Sequence, residues 1–153
     1  LKVGEDCYAV LWQHGQRLRK KRMELHWNTA NYQDAYLYGC HGRGASSAAL
    51  RAVNLESGEI AWSHRMRELS SLLFADDHFI SLGERGTLTL FKANPNKPEI
   101  VATTRVVDEE GESLLQYPAW AAPVLSNGFL YLRGKGRIVC VDLLNLKNTT
   151  TIK

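Results

Sequence analysis

The sequence predicts an all-β chain built from repeated four-stranded antiparallel sheets, the blades of a β-propeller, with about three and a half blades present. Short alternating or β-rich runs recur between clusters of Gly, Asn, Asp and Ser, which is the pattern of strands and turns. No stretch combines a helical period with helix caps. The runs also repeat at a spacing on the order of 40–50 residues, the length of one propeller blade.

The repeat is clearest in residues 52–62, which have the form small-x-Asn-x-x-Ser-Gly-x-x-x-Trp. This stretch predicts a strand, a tight turn at Ser57-Gly58 and a second strand. It ends in Trp62, a large aromatic side chain that we expect to dock on a neighbouring blade.

Three segments, at 35–44, 78–86 and 129–136, align with one another. Each follows a turn signal, and each ends in a cation followed by glycine: Arg43-Gly44, Arg85-Gly86 and Lys135-Gly136. The alignment divides the chain into a half blade at 1–25 and blades at 26–66, 67–107 and 116–153. The predicted strands are 7–12, 18–25, 35–40, 48–55, 59–64, 72–75, 78–82, 87–92, 100–107, 121–125, 129–133, 137–143 and 149–152.

Propellers typically close with about 4–8 blades, so we expect this chain to be part of a larger propeller. The remaining blades would come from the rest of a longer protein or from a second copy of the chain. An isolated open half would expose a sheet face and strand edges, which favours aggregation.

Composition excludes several classes of protein. The chain has 153 residues, a formal net charge of +3 and no apolar run near the length of a membrane helix, so nucleic acid binding and membrane spanning are not expected. The cysteines Cys7, Cys40 and Cys140 show no metal-binding spacing. Cys7 and Cys140 lie in apolar runs, where we expect buried, inert thiols.

Catalytic motifs are absent as well. The sequence has no Gly-x-Ser-x-Gly, no His-Glu-x-x-His, no phosphate-binding Walker loop and no Asp-rich calcium loop. Glycines 39, 42 and 44 lie in a predicted hairpin. The glycines of a dinucleotide-binding motif lie between a strand and the helix that follows it, so these glycines do not indicate a dinucleotide site. A glycan-active enzyme would need paired carboxylates across the channel, and no such pair is evident.

In a propeller, the loops that enter the first strands and the loops between the second and third strands share one face, which we call the loop face. Cationic, aromatic and amide residues gather in these segments, and function tends to lie on loops held by a rigid sheet. They favour a protein partner or a small anionic or sugar-like ligand. The candidate binding residues are His26, Trp27, Asn28, Tyr32, His41, Arg43, Arg67, Arg85, Tyr117, Trp120 and Lys135.

Each candidate also has a purely structural interpretation. Arg43, Arg85 and Lys135 suit solvated hairpins beside glycine, and His26 and His41 suit hydrogen-bonded structural roles. Trp27 and Trp120 suit either a pocket wall or blade packing. The basic run at 17–22 suits an edge strand protected against pairing, with binding to an acidic partner, a membrane or nucleic acid as the alternative.

The segment 52–62 resembles the tryptophan-docking motif Ala-x-Asp-x-x-Thr-Gly-x-x-x-Trp of quinoprotein (PQQ-like) β-propellers, with Asn54 for Asp and Ser57 for Thr. The resemblance implies two functions. One is a non-catalytic scaffold or binding module of an exported bacterial protein, periplasmic or extracellular and without a cofactor, like the outer-membrane assembly lipoprotein of that family. The other is part of a quinoprotein dehydrogenase with pyrroloquinoline quinone (PQQ) and Ca²⁺, in which His26, Asn28, Arg43 and Trp120 would help to hold the cofactor. The vicinal cysteines that such dehydrogenases usually carry are missing from this sequence.

Overall fold

The computed structural model describes residues 10, 12, 13 and 21–144, and these form three antiparallel sheets. The first sheet contains β1 (Asn31–Gln33), β2 (Tyr36–His41), β3 (Ala49–Asn54) and β4 (Ile60–Arg65). The second contains β5 (Ser70–Ala75), β6 (His78–Gly83), β7 (Thr87–Lys92) and β8 (Glu99–Arg105). The third contains β9 (Val124–Ser126), β10 (Phe129–Gly134) and β11 (Arg137–Asp142). The predicted all-β fold class, a partial propeller, is confirmed.

Tight turns set the register of each sheet. The pairs Gln33↔Tyr36, Ala75↔His78 and Ser126↔Phe129 leave two-residue loops between the first and second strands. Both loop residues have positive φ in every case, for example 48° at Asp76 and 56° at Asp77. This is the backbone of a type I′ turn, which Asn, Asp and Gly favour and whose twist matches paired strands.

Two clusters of buried side chains fill the spaces between the sheets. The first joins sheets one and two around the rings of Tyr38, Trp62, Phe79 and Phe91. The second joins sheets two and three and is aliphatic; its buried members are Leu82, Leu115, Ala119, Leu130 and Leu132. Apolar burial of this kind is the main favourable term in folding, so the sheets are held face to face by these clusters.

Tryptophan docking is seen directly. The indole nitrogen of Trp62 donates to the carbonyl of Asn94, in the turn that follows β7 in the next sheet, at 2.8 Å. Trp12 makes the same type of contact with Leu55 at 2.5 Å. The acceptor turns are closed by Asn54 and Asn94, whose Oδ1 atoms accept backbone N–H groups two residues ahead. Sheet two has alanine where sheet one has this tryptophan. Trp62 pairs with Ala52 beside a bulge in sheet one, and Ala102 of β8 pairs with Leu90 beside the matching bulge in sheet two.

Three details differ from the sequence-based expectations. The inner strand of the first sheet covers only Asn31–Gln33, and residues 21–25 form no strand although one was predicted there. Cys140 is exposed, not buried, because it points outward from β11, the last strand of the third sheet within the described chain. Cys7, most of the basic run at 17–22, and the predicted strands at 7–12 and 149–152 lie mainly or wholly outside the described residues. The blade boundaries, including the half blade at 1–25, therefore stay a prediction.

Candidate functional site

An exposed row of rings lies on the loop face. The ring centroids of Trp27 and Trp120 are 5.8 Å apart, and those of Trp120 and Tyr117 are 5.9 Å apart in an edge-to-face arrangement. The guanidinium carbon of Arg85 lies 5.6 Å from the centroid of Tyr117, a cation–π contact. We call these four residues the aromatic row. Tyr117 and Trp120 remain 49% and 45% exposed, which leaves the row accessible to a ligand.

Backbone hydrogen bonds between loops build the base of the row. Glu84 donates to Leu69 and accepts from Ala119, both at 2.9 Å, so the loop between β6 and β7 is tied to the segments that enter sheets two and three. Lys135 donates to Gln116 at 3.1 Å, which repeats the arrangement in sheet three. The loops that were predicted to share one face are thus joined there, and the row stands on a rigid support.

Asn28 lies beneath the row and connects two sheets. Its amide nitrogen donates to the carbonyls of Cys40, at 2.8 Å, and Ser70, at 2.7 Å. Its buried Oδ1 has no hydrogen-bond partner among residues 21–144 or the three other described positions. The side chain therefore fixes the segment that carries Trp27 against the neighbouring sheet.

His41 and Arg43 lie apart from the row and gather around Glu24. The carboxylate of Glu24 contacts Lys21 at 2.5 Å and Arg43 at 2.9 Å, and the Lys21 contact is the main reason why its pKa lies below the usual range. The backbone N–H of Glu24 donates to Nδ1 of His41 at 2.9 Å. This places His41 in the structural role that competed with ligand binding. Burial, and after it the nearby Arg51, lowers the pKa of His41.

The neutral state of His41 gives a pH-dependent prediction. Its folded pKa lies below the ordinary value of 6.5, so as the pH falls the unfolded chain takes up the proton first. The stability that the neutral ring supplies is present above pH 6.5 and declines below it. We expect His41→Phe, which removes the acceptor of the Glu24 N–H, to cost about 1 kcal/mol near neutral pH or above. Urea unfolding should show that this deficit narrows toward about pH 5, and a deficit that widens would contradict the assignment.

A cleft of about 720 Å³ opens between sheets one and two on the same face. Four arginines line it: Arg65 at the end of β4, Arg67 two residues later, Arg85 from the β6–β7 loop, and Arg105 at the end of β8. We call this the arginine cleft. The buried Glu68 also lines it, and its Oε2 accepts the backbone N–H of Arg85 at 2.5 Å. Arg67 and Arg85 were candidates from the sequence, whereas Arg65 and Arg105 were not.

The sequence does contain a signal for the two missing arginines. Arg65 and Arg105 each stand three residues after register-matched positions, Trp62 and Ala102, and each ends the fourth strand of its sheet. Aligning the ends of the fourth strands, in addition to the loops, would have paired them. They fall outside the loop segments from which the candidate residues were predicted.

The remaining candidates are dispersed. Lys135 lines a smaller cavity of about 270 Å³ together with Trp120 and Arg133. His26 is exposed in the segment before β1. Tyr32 is 61% exposed on β1, opposite Leu37 of β2, away from the row and the cleft. The structure thus brings Trp27, Arg85, Tyr117 and Trp120 into one group and places Arg67 and Lys135 on its two sides; the others do not join it.

The aromatic row and the arginine cleft offer apolar, cationic and hydrogen-bonding contacts. Rings offer flat apolar contact, guanidiniums offer charge and paired donors, and Glu84 Oε2 accepts from the Trp120 indole at 3.5 Å. Among residues 21–144 and the three isolated described positions, no three His, Cys, Asp or Glu side chains are grouped to hold a metal ion. We also find no helix in the described part of the chain with the length and apolarity needed to cross a bilayer.

Comparison with known proteins shows the fold. The chain is similar to the crystal structure of BamB from Moraxella catarrhalis, a β-propeller, with a TM-score of 0.56, 18% identity, and coverage of 76% of this chain and 33% of that one. It is also similar to the computationally designed proteins Ika8 (TM-score 0.52, 16% identity, 80% of this chain and 36% of that one) and Ika4 (0.50, 16%, 83% and 75%). The chain thus spans about a third of the length of BamB and of Ika8. No family model and no curated protein matches the sequence.

Proposed function

We propose that this chain is a non-catalytic propeller module that binds a protein partner through the aromatic row on its loop face. The observation that carries the proposal is the exposure of Tyr117 and Trp120 beside Arg85 on a support tied by backbone hydrogen bonds. Tyr, Trp and Arg are enriched among the few residues that carry most of the binding energy of protein interfaces.

Aromatic rings that remain partly exposed keep apolar surface in contact with water, which is less favourable than burial. Trp27 and Trp120 pack on one another and leave part of each ring accessible, although each would be stabilised by complete burial. A partner that covers the row removes this apolar surface from water without any rearrangement of the sheets. The same rings also suit a sugar-like ligand, which is the alternative occupant.

The resemblance to PQQ-like propellers and the fold likeness to BamB support a scaffold role in an exported bacterial protein, in the periplasm or outside the cell. The second function, as part of a PQQ-dependent dehydrogenase, would need calcium ligands, and the described residues include no group of three His, Cys, Asp or Glu side chains. We propose that the chain binds no cofactor. Saturable, calcium-dependent binding of PQQ to the purified protein would contradict this.

Site-specific photo-crosslinking in the native host tests the binding proposal. A benzophenone amino acid at position 117 should give adducts with a second polypeptide after irradiation. The same group at position 77, in the β5–β6 turn at the opposite end of the sheet, should not. Trp120→Ala, introduced together with the crosslinker at 117, should reduce the adduct at least about tenfold, as expected for an interface hot spot.

Two results would contradict the proposal. Equal adducts from positions 117 and 77 would mean that the loop face is not selective. Adducts that contain only further copies of this chain, identified by mass spectrometry, would indicate self-association and not a partner. A sugar-like ligand would give no protein adduct and would be detected as protection of Trp120 fluorescence from a soluble quencher by oligosaccharides.

A further inference from the structure

We infer that the arginine cleft binds a short acidic segment of the partner, one in which Glu or Asp side chains meet the four guanidiniums. The inference rests on the proposed function, because Arg85 belongs both to the cleft and to the aromatic row. It adds the chemistry of the partner and a second contact region, formed by Arg65 and Arg105, that the row does not include.

The charge of the cleft is unbalanced. Four arginines line it, and the carboxylate that lines it, Glu68, is 6% exposed and already accepts the backbone N–H of Arg85. Elsewhere in the described chain, cations do find carboxylates: Lys21 and Arg43 pair with Glu24, and Lys92 pairs with Glu99. Within residues 21–144, none of the four cleft arginines lies within ion-pair distance of an acidic side chain.

The four arginines are exposed to solvent, and unpaired guanidiniums that share a cleft repel one another. A carboxylate placed among them relieves this repulsion and gains paired, charge-assisted hydrogen bonds, for which the planar guanidinium is suited. Thr87 lines the same cleft and carries a further hydroxyl donor. The cleft volume of about 720 Å³ is that of a ligand pocket and admits a narrow, extended chain.

Neighbouring acidic residues favour a short segment over a polyanion. Asp108, Glu109, Glu110 and Glu112 lie in the loop that follows β8, within seven residues of Arg105, and the three glutamates are exposed. A nucleic acid, whose phosphates continue past the cleft, would meet this negative loop, and the chain has a net charge of only +3. A short acidic segment that ends within the cleft need not extend to this loop.

Fluorescence anisotropy with a labelled peptide of alternating Glu and Ser tests the inference. The matched peptide has Gln in place of Glu, and a short single-stranded oligonucleotide serves as the polyanion probe. The Glu peptide should bind at least about tenfold more tightly than the Gln peptide at low salt, and the preference should shrink at high salt. The double variant Arg65→Gln/Arg105→Gln should lose at least about tenfold of the affinity for the Glu peptide.

The matched control is Lys97→Gln/Arg137→Gln, which removes the same charge from exposed positions outside the cleft and should leave the affinity within about twofold. Melting temperatures of both variants should equal that of the parent. Equal binding of the Glu and Gln peptides, tighter binding of the oligonucleotide, or equal losses in the two double variants would overturn the inference. Arg65 and Arg105 lie outside the aromatic row, so the two proposals can fail separately. If the peptide test fails but crosslinked adducts at position 117 persist, the proposed function stands. If the peptide test fails and the adducts at position 117 are also absent, both proposals are wrong.

Discussion

Replacing Trp62 with alanine is expected to lower the free energy of unfolding by about 3–5 kcal/mol. The side chain is only 8% exposed, and its ring packs 6.0 Å from the ring of Tyr38 and 6.4 Å from that of Phe91. The substitution leaves a cavity between sheets one and two and also leaves the carbonyl of Asn94 without the indole donor. Urea unfolding followed by circular dichroism measures the loss without relying on tryptophan emission.

Two further variants separate the causes. Trp62→Phe keeps a ring in the cavity and removes the indole donor, so it should cost less than Trp62→Ala, about 1–3 kcal/mol. Trp120→Ala removes an indole that is 45% exposed on the aromatic row and should cost about 1 kcal/mol or less. If Trp62→Ala proved no more damaging than Trp120→Ala, Trp62 would not be the docking residue.

Gly58→Ala is expected to destabilise the protein by about 2–4 kcal/mol, for two separable reasons. Gly58 has a φ of +68°, where a side chain is strained. A Cβ there would also lie 2.6 Å from the ring of Trp12 and closer still to the guanidinium of Arg22, so the docked indole would have to move. The measurement is again the free energy of unfolding in urea.

Two other glycines serve as controls for these causes. Gly136 has a φ of +71°, and a Cβ at this position would meet open space, so Gly136→Ala should show the backbone cost alone, about 1 kcal/mol. Gly44 also has open space, and its φ is not positive, so Gly44→Ala should change little. Should Gly58→Ala match Gly136→Ala, the contact of Trp12 with this turn would contribute nothing to stability.

The sequence was most informative where structure is decided locally. The turns at Asp76-Asp77 and Asn127-Gly128 were predicted because residues that tolerate positive φ stand between two apolar runs. Docking by Trp62 was predicted because the motif holds the turn and the ring at a fixed spacing. The polar and aromatic segment 26–32 was interpreted as the inner strand of its blade, but the strand there, β1, covers only Asn31–Gln33. It is held by pairing with β2 and not by its own propensity.

The candidate site was less predictable, since it depends on how the sheets pack. Trp27 and Trp120 are 93 positions apart in the sequence and meet only because sheets one and three both flank sheet two. Arg65 and Arg105 converge because the fourth strands of neighbouring sheets end at one face. Cys140 was expected to be buried because its neighbours are apolar; which side of β11 is covered is not encoded in those neighbours.

Because position 102 carries alanine, the contact between sheets two and three lacks the docked tryptophan that is present between sheets one and two. Sheets one and two are fastened by the indole of Trp62 and by the amide of Asn28, each of which crosses to the neighbouring sheet. Between sheets two and three, the register position of that indole holds a methyl group. The contact depends on the aliphatic cluster, on the Ser71 hydroxyl, which donates to the Trp120 carbonyl at 3.0 Å, and on the Ala119 N–H, which donates to the Glu84 carbonyl at 2.9 Å. Since stability need not be uniform across a structure, we expect sheets one and two to unfold as one cooperative unit and sheet three to separate from them first. The aromatic row spans this interface between sheets two and three, so a bound partner would also stabilise the contact between them.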